Sequence, residues 1–374
     1  TPDDFTIVFN LSYADDNFLY ALTNPGAMPC DEEFFNLTNG KYGLDAKYLL
    51  CNGPFHVSKW TEKTSVKLAK NNEYNGESSV SPSSVTFYIN NDDSEVADKM
   101  NSVTYDVAFL SSSQFSSIEN KKDLNSVAVQ NVTYSFIFNQ NDNNYRNKNM
   151  RLAFCRSCDT SSLFDSQSDI SKADGIVPPS CKIGGEDYRN GNAAELLSYD
   201  ETLAKKNFND ALLELGSSSV ETTILCTEQY ESFVKQMVQK LQKTLGVKFV
   251  STVKVVSESD LEAAVNDGNY SVAFYPFKAK SSFAGEIIEG FDQNNIFGYE
   301  SDVLSQKIRN IKNNSGSLEG ERSAVADAEN YLVSEAVIMP VFYENSYFVT
   351  SKKTSGIYFY SSADNVCFIN AKKS

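Results

Sequence analysis

The sequence predicts an α/β fold built in two long halves, on three observations. Over residues 200–272 amphipathic helical patterns alternate with β-branched runs, a rhythm that predicts parallel strand pairing. Over residues 5–138 strand patterns dominate, with short helical stretches between them. The length, 374 residues, allows two or three domains at ~150 residues each, so the chain can bury ample core.

Taken in order, Phe5-Thr6-Ile7-Val8-Phe9 alternates as a strand. Residues 18–21 begin a short helix, closed by Asn24-Pro25-Gly26. The turn Asn52-Gly53-Pro54-Phe55 leads into strand patterns at 55–59 and 65–70, and 85–89 is a third strand. Residues 93–100 read as a helix with Ser94 as its N-cap. Residues 105–110 are a strand and 111–118 a helix, and two further strands occupy 127–129 and 133–138. An Asn-rich loop over 139–149 marks a crossing point between the halves.

In the second half, residues 151–164 are helical and a Pro- and Gly-containing loop follows. Residues 200–215 form an amphipathic helix that Gly216 closes. A strand at 222–226 precedes a helix on which Phe233, Met237, Leu241 and Leu245 share one face, ended by Gly246. A strand at 247–256, a helix at 260–265, a helix at 324–333 and strands at 338–342 and 346–349 complete the pattern.

The stretch Gly268-Asn269-Tyr270-Ser271-Val272-Ala273-Phe274-Tyr275-Pro276-Phe277 is the most informative. A turn gives way to a short apolar strand, and Pro276 is expected to stop it from continuing as a central strand. Ligands of α/β proteins sit at the carboxyl ends of strands. Tyr275 and Phe277 are therefore candidates for a ligand cleft, with buried packing as the competing reading.

Charge and composition exclude several classes. With 33 basic and 49 acidic residues the net charge is −16, which opposes nucleic-acid binding and an anionic membrane surface. No apolar run approaches the ~20 residues of a membrane span. The start, Thr1-Pro2-Asp3-Asp4, lacks the basic and apolar regions of a signal peptide. Among seven cysteines, Cys155 and Cys158 have C-x-x-C spacing. The sole histidine, His56, lies far from them in sequence, so a zinc site lacks ligands and buried free thiols are the expectation. No G-x-S-x-G elbow, phosphate loop or G-x-G-x-x-G motif occurs, and one histidine on a strand surface is a poor basis for a triad. No enzyme activity, metal or cofactor is expected.

Several motifs in a fixed order resemble a known family. Asn52-Gly53-Pro54-Phe55 with Val57, Lys59 and Trp60 resembles its G-P-Y/F…W strand, and Leu68-Ala69-Lys70-Asn71-Asn72-Glu73-Tyr74 its L-x-R-N-P-x-Y segment. Thr104-Tyr105-Asp106-Val107-Ala108, Phe136-Ile137-Phe138-Asn139 with Asn149-Met150-Arg151-Leu152-Ala153, the stretch over 199–216, and Ala336-Val337-Ile338-Met339-Pro340-Val341-Phe342-Tyr343 are similar to further segments in the same order. The family is that of the extracellular solute-binding proteins of ABC transporters, in the oligopeptide/dipeptide/nickel class, family 5.

The resemblance implies a two-lobed, type II periplasmic-binding-protein-like fold with mixed sheets flanked by helices. Lobe 1 would be residues 1–140 and 346–374, with the tail of an extra domain at 1–30, and lobe 2 residues 141–345. The family's mature proteins are longer at the amino end, so the resemblance implies a chain that lacks the N-terminal part. The implied function is extracytoplasmic capture of a peptide or other small ligand between two lobes and delivery to an ABC permease, by a monomeric lipoprotein or periplasmic protein. A surface sensor or adhesion module on the same fold is the alternative. The implied ligand contacts are Tyr134, Tyr275, Phe277, Lys278 and Lys280. Phe277 stands where the family has a ligand-stacking Trp, and Lys280 where peptide binders carry an Asp for the peptide amine. A cation there favours an anionic or neutral ligand over a free amine.

Overall fold

The computed structural model describes residues 2–3, 5–11, 18–23, 25–89, 93–160, 163–164, 169–279, 281–292, 295–360 and 365–374. It is a mixed α/β chain, as expected, and it divides into two units. Unit 1 comprises Thr1–Val127, Tyr347–Tyr360 and Asp364–Ser374, and unit 2 is centred on Ala128–Ser346. Two long strands pass from one unit into the other, and each unit is described by itself.

Unit 1 begins with residues 7–10 outside any strand and exposed, so the expected strand at 5–9 does not form. Its alternation meets no partner ladder among the described residues, only a bridge between Asp3 and Thr6. Helices α1 (Phe18–Ala21) and α2 (Glu32–Leu37) follow. Strands β1 (Phe55–Thr61), β2 (Ser65–Lys70) and β3 (Ser84–Tyr88) form an antiparallel sheet in sequence order. The Asn71 side-chain amide donates to the Gly53 carbonyl at 2.9 Å and fixes the turn into β1. His56 is exposed on β1. Helix α3 (Asp93–Asn101) contains Ser94 as its second residue, so Ser94 does not occupy the cap position.

Strand β4 (Val107–Ser111) leads into α4 (Ser112–Ser117), where Ser111 and Gln114 satisfy each other's backbone N–H groups as a capping box. The core of this unit is small: Ala97, Met100, Ala108, Leu110, Ile118, Leu124 and Val349.

Strand β5 (Leu124–Phe138) is one strand of 15 residues, where the sequence reads as two. Gln130 and Asn131 interrupt the apolar pattern without interrupting the backbone ladder. Helices α5 (Asn143–Arg146) and α6 (Lys148–Ser157) occupy most of the Asn-rich stretch expected to be loop. The asparagines act as caps and ties: Asn147 Oδ1 accepts from the Met150 N–H, and Asn139 donates to the carbonyls of Gly268 and Tyr270. Helix α6 stops at Ser157 rather than running to 164, because Cys158 is extended.

Strands β6 (Ile170–Lys172), β7 (Lys182–Ile183) and β8 (Glu186–Asp187) are short. Helix α7 (Glu201–Leu215) is capped by Asp200 and closed by Gly216 in the left-handed region at φ 62°. Strand β9 (Val220–Cys226), helix α8 (Glu231–Leu245), strand β10 (Phe249–Val255) and helix α9 (Glu258–Asn266) follow as expected, and β9 and β10 pair in parallel.

Strand β11 (Val272–Lys278) corrects a further expectation: it runs through Pro276 and is a central strand, between β9 and β5. The reason lies in the pairing. Along β5 the bonded positions are odd-numbered on β11, as the Ala279 N–H to Asn131 carbonyl bond shows, while Pro276 stands opposite Tyr134. The Pro276 nitrogen therefore faces the β9 side, where pairing covers Val272 and Ala273 and has already ended. No ladder bond is lost.

Helices α10 (Ala284–Glu289), α11 (Asp302–Asn313) and α12 (Leu318–Ser334) precede β12 (Ile338–Ser351), a 14-residue strand that the sequence again reads as two. Within unit 2 the strand order is β10-β9-β11-β5-β12, with β6 on β12. One face of this sheet buries Phe136, Phe138, Phe274 and Phe342 beneath α6, α7 and α8. The other packs Ile137, Ala273 and Ile338 against α9, α11 and α12.

A buried ion pair ties the second layer together. Glu329 on α12 accepts from the backbone N–H groups of Ile176 (2.7 Å) and Val177 (2.9 Å), from the Tyr188 hydroxyl, and from Arg189. In unit 1 the end of β12 returns beside β4, with Phe348 against Phe109 and the Ser351 N–H on the Asp106 carbonyl. Strands β13 (Thr354–Ser355), β14 (Tyr358–Tyr360), β15 (Asn365–Cys367) and β16 (Lys372–Lys373) close that unit as two short pairs, β13 with β16 and β14 with β15.

Candidate functional site

Parallel strands β9 and β10 end together at Cys226 and Val255. A crevice of about 600 Å³ opens beyond their carboxyl ends, lined by Thr227, Gln229, Val256, Ser257, Glu258 and Asp260. This is where an open α/β sheet offers a ligand site. The same rim of unit 2 carries the ends of β11 and β12 that approach the unit boundary: Glu344 lies two residues before Ser346 in sequence, and Lys278 pairs with Val132.

The side chains on this rim form a hydrogen-bonded chain. The rings of Tyr134 and Tyr230 pack against each other, with centroids 4.4 Å apart. The Tyr230 hydroxyl donates to Glu344 Oε1 at 2.5 Å, and the Gln229 amide reaches the Tyr230 oxygen at 3.0 Å and Glu344 Oε1 at 3.3 Å. Burial pushes both tyrosines well above the ordinary phenol range. Burial also raises the Glu344 carboxyl, which the hydrogen bonds from Tyr230 and Gln229 and the charge of Lys278 partly offset, while Glu258 adds to the rise.

The expected contacts fall on two faces of the sheet. Tyr134 is half-buried against Tyr230, Phe274 and Phe342, and Lys278 lies exposed on that same face. Tyr275 and Phe277 are on the opposite face, where Phe277 packs on Phe291 and Phe297 at ring distances of 5.8 and 5.7 Å. Alternation along β11 forces this split. Lys280 lies outside the described residues. The structure thus brings Tyr134 and Lys278 together with Glu344, and sets Tyr275 and Phe277 apart from them. Gln229, Tyr230 and Glu344 were not read from the sequence. The available signal was a lone acid ending the apolar run Ile338 to Tyr343.

The cysteines hold no site. All seven are free, and Cys155 and Cys158 are buried. Burial pushes the Cys155 thiol up to about 12, and Cys158 higher, which keeps both protonated and inert. Among the described residues no group of three His, Cys, Asp or Glu side chains could hold a metal ion, and no helix is long and apolar enough to cross a membrane.

Comparison with known proteins agrees with this architecture. The dipeptide-binding protein DppE of Bacillus subtilis is 23% identical over 363 residues, covering 95% of this chain and 66% of its own length, so the chain spans less than two thirds of that relative. The structure of a dipeptide-binding protein from a Pseudoalteromonas species in complex with Met-Leu superposes with a TM-score of 0.77 at 15% identity, over 98% of this chain and 73% of that one. Listeria monocytogenes OppA bound to peptide gives 0.73 at 20% identity, over 97% and 72%. Both are type II periplasmic-binding-protein folds, and this chain has that fold. The model of the bacterial extracellular solute-binding proteins, family 5 Middle, matches residues 1–297. The chain belongs to the bacterial extracellular solute-binding proteins of family 5.

Proposed function

We propose that the chain is the ligand-capturing part of an ABC importer, taking a peptide or similar small molecule outside the cytoplasm and delivering it to a membrane permease. The observation that carries the reading is the family match over residues 1–297. The crevice at the carboxyl ends of β9 and β10, whose Gln229 is hydrogen-bonded to Tyr230 and Glu344, supports unit 2 as the ligand-contacting side. The proposed contacts are Tyr134 and Lys278 on this rim, with Tyr275, Phe277 and Lys280 as further candidates. Movement about the two crossing strands would accompany uptake. The protein would work as a monomer on the cell surface or in the periplasm, held there as a lipoprotein in a one-membrane cell. The family's extracellular designation supports that placement. No chemical step is assigned to it.

The direct test is mass spectrometry of small molecules that co-purify with the protein, followed by scattering with and without the identified ligand. A co-purified peptide and a contraction on adding it back are expected. A protein that retains no small molecule and shows no change with a peptide library would overturn the reading.

A further inference from the structure

Six lysines come together on unit 1 from three separate stretches of the sequence. Lys121 and Lys122 lie on the turn before β5, Lys352 and Lys353 on the turn between β12 and β13, and Lys372 and Lys373 on β16. Backbone bonds hold the three stretches side by side. The Lys352 N–H donates to the Asp123 carbonyl at 2.9 Å, and the Ser374 N–H to the Lys353 carbonyl at 2.8 Å. In the β13–β16 pair, Lys373 stands opposite Thr354 and Lys372 opposite Ser355. Lys352 Nζ reaches the Lys122 carbonyl at 2.7 Å and draws the two turns together. All six residues are exposed.

Little answers this charge locally. Among the described residues Lys373 is the only one of the six with a carboxylate partner, Asp106 at 3.0 Å. The Lys121 ammonium sits 4.8 Å from the centre of the Phe115 ring. Asp123 and Glu119 are the other acids on the first turn and its approach, and Asp98 and Lys99 on the adjoining α3 offset each other. Six ammonium groups thus face three carboxylates, on a chain whose net charge is −16. Salt limits how far that net charge reaches, to about 8 Å at physiological ionic strength. Within that range an approaching surface meets the lysines. The form of the patch narrows the partner. It has no arginine to grip one anion in a planar fork, and lysine is a point charge on a flexible stem. Lysine is also depleted from the cores of protein–protein interfaces. A fluid array of phosphates matches such a patch better than one shaped partner does.

We propose that this lysine patch is a docking surface for an anionic phospholipid bilayer and holds unit 1 against the membrane. The inference is independent of the ligand that the protein captures. It departs from the exclusion drawn from net charge, which averages the patch away.

Vesicle sedimentation tests it, with phosphatidylcholine alone and with an equal mixture of phosphatidylcholine and phosphatidylglycerol. At about 0.1 M salt the wild type is expected to pellet with the mixed vesicles only, and about 1 M salt should release it. The triple variant Lys122→Gln, Lys353→Gln, Lys372→Gln should weaken partitioning about a hundredfold, at about fivefold per lysine. The same change of charge made in unit 2, Lys243→Gln, Lys248→Gln, Lys254→Gln, should leave partitioning within about twofold of the wild type, since those lysines lie outside the patch. Equal pelleting with both kinds of vesicle, no pelleting with either, or equal losses in the two triple variants would overturn the proposal. Binding to soluble inorganic polyphosphate without binding to the vesicles would overturn it as well, and assign the patch to a soluble polyanion.

Discussion

Glu329 has one oxygen facing the backbone of residues 176 and 177 and the other facing Tyr188, with the Arg189 guanidinium across both. Removing one partner of such a buried pair leaves an uncompensated charge. Glu329→Ala is therefore expected to destabilise unit 2 by about 3–5 kcal/mol, read as a lower urea midpoint. Gly175 is wedged against this pair: a Cβ there would meet Arg189 Nη2 and Glu329 Oε1, and both side chains are too buried to swing aside. Gly175→Ala should cost about 1–3 kcal/mol by overpacking, and an unchanged midpoint would show that the pair can shift. Glu344 gives a pH signature of its own. Its pKa is raised in the folded chain by burial, so the folded form binds more protons across the window between its unfolded and folded values. Stability falls as pH rises through that window. The stability of Glu344→Gln relative to wild type should accordingly rise as pH climbs above the ordinary carboxylate range, and parallel curves would refute the shift.

At the level of elements, helix α7 shows end signals that are strong and local. Asp200 Oδ1 accepts from the Leu203 N–H at 2.9 Å, and Gly216 takes the left-handed conformation that other residues adopt at a cost. Asp200→Ala is expected to cost about 1 kcal/mol by thermal melting. Such signals made α7, α8 and the β9–β10 alternation legible in the sequence, because a cap or a closing glycine acts on the residues beside it. The elements misread were those fixed by distant partners. Strands β5 and β12 look broken at Gln130–Asn131 and at Glu344–Asn345, yet those polar residues bond to one another across the strands: Gln130 Nε2 donates to Asn345 Oδ1 at 2.6 Å and to Ser171 Oγ at 2.8 Å. Pro276 is tolerated only because β9 has already ended on that side. The segment at 5–9 has strand alternation but meets no ladder among the described residues. The rim was half legible for the same reason. Tyr134 and Lys278 stand on readable strands, whereas their juxtaposition with Tyr230 and Glu344 depends on register.

For the whole molecule, the two units differ in how much they bury. Unit 2 carries two extensive apolar layers on one sheet, while the cluster in unit 1 numbers a handful of side chains. Exposed large apolar side chains such as Trp60, Phe87, Tyr88 and Ile89 gather on unit 1. Amides of β1, β2 and β3 should exchange with deuterium well before those of β9 and β11, and equal protection would contradict this ranking. The route of the chain adds an order in time. Unit 2 is drawn almost wholly from one run, Ala128–Ser346, whereas unit 1 needs both Thr1–Val127 and the segments after Ser346. During synthesis the main run of unit 2 is complete once Ser346 has cleared the ribosome. The first 127 residues must still wait for Phe348 to reach Phe109 and for Ile369 to receive the Ser81 N–H. The later part of the sequence is thus able to mature first: a nascent chain that has cleared the ribosome through residue 346 would hold the main body of unit 2 while unit 1 still lacked its closing segments.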